Sequence, residues 1–217
     1  AYKYFFQAYK STIFCFRYSK DMAFIGGTPE QLYDRQLSTI DSEAIAGTRI
    51  RGRTDSQDRD LESQLQVTEK DVREHSYVDD YIYHQLQEQC EFISQDHEPS
   101  VLKLSLVQHL LQRISGKLKE GVTDADLLPA LHPTPAVAGF PVQESLDYIR
   151  NHEQEGRGYY AGPVGWMSHK RSNFVVAIRS GFVRNNTVTL LSGAGIVEGS
   201  DSLSEWSEVN AKVALFH

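Results

Sequence analysis

Carboxylates, cations and glycine turns fall into short blocks along this chain, each with residue types suited to binding or proton chemistry. Ile45-Ala46-Gly47-Thr48 runs into the basic stretch Arg49-Ile50-Arg51-Gly52-Arg53. Lys70-Asp71-Val72-Arg73-Glu74-His75 sets base, acid and imidazole side by side. His132-Pro133-Thr134-Pro135 leads into Ala136-Val137-Ala138-Gly139-Phe140-Pro141. Tyr159-Tyr160-Ala161-Gly162-Pro163-Val164-Gly165-Trp166 is followed by an apolar run ending at Arg179. Gly193-Ala194-Gly195 precedes Glu205-Trp206-Ser207-Glu208 and Lys212.

Each block has a plain structural reading beside a chemical one. A Gly-Ala-Gly turn brings backbone N–H groups close to an anion, and ordinary turns use the same wording. Arg179 follows Phe174-Val175-Val176-Ala177-Ile178, which places it at the end of a buried strand, where an unpaired charge is costly. Glu74 lies on a charged helix face, where solvation is the default. Glu208 stands one helical turn before Lys212, the spacing of a surface ion pair of little weight. Glu30, in Thr28-Pro29-Glu30-Gln31-Leu32, reads as a first-turn glutamate favoured by the helix dipole, and Glu43 is the rival carboxylate nearby.

The elements that must position these residues are strand-rich. Alternation over residues 11–26 predicts a hairpin. Thr28 and Pro29 predict a short helical turn with Thr28 as N-cap. Residues 37–48 read as a strand. Leu61, Leu65, Val72, Val78, Ile82, Leu86 and Phe92 recur at helical spacing and predict one long helical region over 56–95. Glu98-Pro99-Ser100 ends that helix, and Gln95–Ser100 is a weak linker. Residues 101–117 predict a strand, 123–131 and 142–155 helices, and 159–167, 174–180 and 188–191 three strands. A last helix starts near Ser202 and carries Trp206, Val209, Val213 and Leu215. This order lacks a clean βαβ alternation and predicts an α+β domain with largely antiparallel sheets.

The 217 residues suffice for one domain, spanning 1–217. A net charge of −7 with a single short basic run argues against a nucleic-acid partner. No run approaches the roughly 18 apolar residues of a membrane span. Cys15 and Cys90 lack metal-type spacing and read as free, buried thiols of a reducing compartment. The chain opens at Ala1 within the strand-like Tyr4-Phe5-Phe6, which reads as the C-terminal portion of a longer protein.

The blocks, taken together and in order, resemble the chorismate-binding enzymes: anthranilate, aminodeoxychorismate, salicylate and isochorismate synthases. The resemblance runs from Phe5 to Leu215. It implies that Glu74 and Glu208 hold one Mg²⁺, a cation that keeps several waters and suits two carboxylates plus a substrate carboxylate. It implies that Mg²⁺ takes the ring carboxylate of chorismate while Arg179 and Lys212 take the enolpyruvyl carboxylate. It further implies substrate contacts from Gly47, Thr48, Tyr160, Gly193 and Ala194, with His132 near the ring.

The same resemblance makes Glu30 the general acid for loss of the C4 hydroxyl, a poor leaving group that needs a proton. The lysine that activates water at C2 lies upstream of the matched segment, and Lys3, Lys10 and Lys20 have the wrong context for it. Gly139-Phe140-Pro141-Val142 lacks the lysine that aminating members and salicylate synthases carry after Gly-x-Pro, so the wording resembles isochorismate synthases. Salicylate synthase is the runner-up, and an inactive anion-binding module the non-enzyme alternative. A cytoplasmic monomer or weak homodimer serving menaquinone or siderophore synthesis completes these expectations.

Overall fold

The computed structural model describes residues 11–214. The expectations for Phe5 and Leu215 fall outside them. The order is β1 (Thr12–Arg17), β2 (Met22–Thr28), β3 (Gln31–Gln36), β4 (Thr39–Ile50), α1 (Asp55–Val67), α2 (Glu69–Gln89), β5 (Cys90–Gln95), β6 (Ser100–Lys103) and β7 (Val107–Leu118). Then come α3 (Asp124–Leu131), α4 (Pro135–Ala138), α5 (Val142–His152), β8 (Pro163–Met167), β9 (Arg171–Val176), β10 (Ser180–Arg184), β11 (Thr187–Leu191) and α6 (Ser202–Val213).

Two antiparallel sheets result. The smaller runs β1-β2-β10-β11, and the larger runs β5-β7-β4-β3-β9-β8 with β6 also on β7. The α+β class expected from the sequence is what the chain adopts. Alternation along β4 sends Ile40, Ala44 and Ala46 into the core with Val78, Ile82 and Leu86 of α2, while Ile45 joins Leu102, Leu104 and Leu111 elsewhere. Burial of this kind contributes about 25 cal/mol per Å² of apolar surface and is the main force holding α2 to the sheet. Phe14, Phe24, Val164, Val175 and Ala177 tie the small sheet to the large one.

A polar network fastens α3 beneath this. Asp124 accepts from Tyr33 Oη at 2.9 Å, Arg35 Nη2 at 2.7 Å and Ser172 Oγ at 2.5 Å. Three donors hold its carboxylate below the usual range despite burial.

Several expectations require correction. The strand expected over 101–117 is a hairpin of two, β6 and β7, which pair with each other because the chain reverses at 104–106. Of the two thiols expected to be buried, Cys90 is, while Cys15 is exposed on β1, at the edge of the small sheet. Thr28-Pro29-Glu30 forms no helical turn: β2 runs to Thr28 and β3 begins at Gln31, because β9 and β10 provide backbone partners on each side. The helical region over 56–95 breaks at Thr68, whose extended backbone caps α1 through an N–H to Gln64, and it stops at Gln89, where β7 captures 90–95 as a strand. The 96–99 segment is the turn between β5 and β6, both of which pair with β7. The strands expected over 159–167 and 174–180 are shorter. Tyr160 lies in a turn, and β9 ends at Val176 before β10 starts at Ser180, a strand the alternation did not separate.

Candidate active site

The chain passes between the two sheets twice, and these crossings build the site. β2 leaves the small sheet and β3 enters the large one, with Pro29 and Glu30 between them. β9 leaves the large sheet and β10 enters the small one, with Ala177, Ile178 and Arg179 between them. Because β2 pairs with β10 and β3 with β9, the crossings lie side by side. Gly27 N–H donates to Arg179 O at 3.1 Å and Val176 N–H to Glu30 O at 3.0 Å. Arg179 therefore sits not at a strand end but in a left-handed kink, φ 48°.

A cavity of about 360 Å³ opens at this seam. Glu30, Thr48, Glu74, Tyr160, Arg179, Gly193, Ala194 and Lys212 all line it. They come from the first crossing, β4, α2, the turn before β8, the second crossing, the segment after β11, and α6. Gly47, His132 and Glu208 do not line it. Gly47 is instead a bulge in β4 with φ 68°, where the pairing with β7 shifts register, and it turns Thr48 into the cavity. His132 ends α3, largely shielded, with its pKa pushed down to about 4 by burial. Glu208 stays beside the cavity wall, paired with Lys212 at 2.6 Å.

Burial sets the electrostatics. Glu30 is 7% exposed, and desolvation pushes its carboxyl up to about 7 against the pull of Lys212 and Arg179. Glu74 is also pushed up to about 7, by burial and by the neighbouring Glu208, with Lys70 and Lys212 opposing. Burial pushes Tyr160 up to about 12 and lowers Arg179 to about 10. Lys212 Nζ donates to Gly193 O at 3.1 Å, which ties α6 to the glycine segment. A side chain at Gly195 would come within 2.6 Å of Glu74 Oε1, so glycine there lets the backbone press against that carboxylate.

Among the described residues no group of three or more His, Cys, Asp or Glu forms a metal cage. Glu74 and Glu208 fit a cation that brings its own waters: Glu208 adds to the cost of ionising Glu74, and a divalent cation near both would relieve it. Two groups escaped the sequence reading. His109 lines the cavity from β7, and the signal for it was a Gln-His pair inside a run buried on both faces, Val107–Gln112. Arg157 also lines the cavity, and donates to Val137 O at 2.6 Å and to Glu153 at 2.6 Å.

No helix among the described residues is long and apolar enough to cross a membrane. Residues 3–216 match the model of the family described as chorismate binding enzyme. The chain is 40% identical over 204 residues to the chloroplastic isochorismate synthase of Catharanthus roseus, covering 94% of this chain and 35% of that protein. It is 38% identical over 191 residues to isochorismate synthase MenF of Bacillus subtilis, covering 88% and 41%. Its fold superposes on the menaquinone-specific isochorismate synthase MenF of Escherichia coli with a TM-score of 0.88 at 36% identity, over 96% of this chain and 48% of that one. Anthranilate synthase component I from Streptococcus pneumoniae gives 0.81 at 26% identity, over 95% and 46%. The chain spans between about a third and a half of the lengths of these relatives, and with its sequence blocks, its two sheets and its cavity it belongs to the chorismate-binding enzyme family.

Proposed function

We propose that this chain supplies the general acid, the anion clamp and the cation site of an isochorismate synthase, converting chorismate to isochorismate. The supporting observation is the meeting of Glu30 and Arg179 at the two sheet crossings, in one cavity with Glu74 and Lys212. Isochorismate synthases among the relatives support the choice of reaction.

In this reading the enolpyruvyl carboxylate lies against Arg179 and Lys212, with backbone N–H groups of Gly193 and Ala194 and the hydroxyls of Thr48 and Tyr160 around the substrate. Water adds at C2, the ring double bonds shift, and the C4–O bond breaks. Glu30 gives its proton to the departing C4 oxygen, which leaves as water. A carboxyl pushed up to about 7 keeps that proton available near neutral pH, where an ordinary glutamate has lost it. Mg²⁺ bound by Glu74 and Glu208 supplies charge neutralisation for the ring carboxylate. The lysine that would activate the attacking water is not assigned among residues 1–217. We assign the whole to the cytoplasm; His132, outside the cavity lining, takes no part in this reading.

Chromatography of products formed from chorismate by the longer protein tests this, with Mg²⁺ and without glutamine or ammonia. Isochorismate is expected. Anthranilate, or salicylate with pyruvate, as the main product overturns it, salicylate being the runner-up.

A further inference from the structure

The first turns of α2 and α6 meet through an ion pair between Lys70 Nζ and Glu205 Oε1, with side chains 19% and 7% exposed. Neither residue lines the substrate cavity. A buried pair of this kind is weak evidence for stability, because desolvation offsets most of the attraction. Its surroundings suggest another use. Lys70 is drawn not by Glu205 alone but also by Glu74 and Glu208, the pair that fits a divalent cation. Glu208 is itself taken by Lys212 at 2.6 Å. Asp71 nearby is neutralised by Arg49, so with Glu74 ionised, as cation binding requires, three carboxylates share two ammonium groups and one negative charge is left over. A divalent cation entering this group meets Lys70 as a like charge in a region of reduced water, where such repulsion is poorly screened.

We propose that Lys70 is the internal counter-cation of the Glu74, Glu205 and Glu208 carboxylates, and that it sets how tightly Glu74 and Glu208 hold a divalent cation. This rests on the cation site proposed above. With the site empty, the ammonium rests on Glu205. Cation binding shifts it away and tips the group to net positive, and the two negative charges of the substrate then reverse that excess. Lys70 thereby keeps cation affinity low until the dianion arrives, so that the two bind together. A lysine serving only as a pin between α2 and α6 would do the opposite: its loss would loosen α6, with Glu208 on it, and weaken the cation.

Mn²⁺ titration of the 217-residue chain, following free Mn²⁺ by electron paramagnetic resonance, separates these. Lys70→Gln is expected to bind Mn²⁺ about tenfold more tightly than the wild type, Lys70→Arg within about twofold of it, and Glu208→Gln more weakly. Equal or weaker binding by Lys70→Gln, with wild-type binding intact, overturns the role of Lys70 and leaves the cation site standing. No binding by wild type or variant removes the site and the role together. Should Lys70→Gln fail to fold, reductive methylation of the wild type, read by mass spectrometry, decides: saturating Mn²⁺ should raise labelling of Lys70 severalfold, and unchanged labelling overturns the inference.

Discussion

Arg179 Nη2 donates a hydrogen bond to His109 Nε2 at 2.9 Å, inside the protein. A guanidinium has no lone pair to accept with, so Nε2 must be the bare nitrogen of a neutral ring. The proton then sits on Nδ1, which donates to Gly47 O at 3.1 Å, with Thr48 Oγ1 at 3.2 Å. Burial and the charges of Arg179 and Lys212 hold the imidazole well below its usual pKa, in keeping with that form. The bulge at Gly47 thus fixes a tautomer, and the tautomer aims Arg179 into the cavity.

His109→Leu removes the acceptor while keeping an apolar body in β7. In the longer protein, loss of a residue that aims a substrate clamp should raise KM for chorismate about tenfold, with a smaller change in kcat. A large fall in kcat at unchanged KM would make His109 a participant in the chemistry instead. Steady-state kinetics distinguish the two.

Glu30→Gln tests the general acid. The structure separates this residue from its rival: Glu43 projects from β4 toward a second cavity, 3.6 Å from Arg113. In the longer protein, Glu30→Gln should lower kcat by about 10²- to 10⁴-fold with KM little altered, because a proton donor acts mainly in the transition state. Glu43→Gln should leave kcat near the wild-type value. Loss of turnover in Glu43→Gln with activity kept in Glu30→Gln would move the acid to Glu43.

The same carboxyl should make stability depend on pH. Its ordinary value is 4.5 and burial raises it to about 7, so the folded chain holds the proton more tightly than the unfolded one. The stability linked to this group is therefore complete below about pH 4.5 and is lost as pH rises through about 7. Above that, the wild type keeps a buried charge that Glu30→Gln lacks. The variant should be more stable by up to about 3 kcal/mol at pH 8, with little difference at pH 4. Thermal unfolding at the two pH values checks this, and a variant less stable at pH 8 would show that pairing with Arg179 and Lys212 outweighs desolvation.

Local wording in the sequence was enough for the parts whose chemistry is local. The β1–β2 hairpin follows from alternation, and α3 and the start of α6 were legible as helices. Glu30, Glu74, Tyr160, Arg179 and Lys212 were marked by blocks, and five elements far apart in the chain do bring them to one cavity. What local wording misjudged was backbone that a partner strand decides. Residues 90–95 carry a helical spacing yet pair with β7, and Thr28-Pro29-Glu30 has the residues of a helix start yet lies between two strands. In both, hydrogen bonds from strands distant in sequence satisfy the backbone, and they outweigh a preference worth a few tenths of a kcal/mol per residue. His109 was passed over, and Lys70 named within its block without a role, for the same reason. A histidine within a strand and a lysine in a first helical turn are unremarkable by sequence. Only the sheet pairing sets His109 against Arg179, and only the docking of α6 sets Lys70 against Glu205. Burial then gives each a charge environment that neighbours in the chain do not supply.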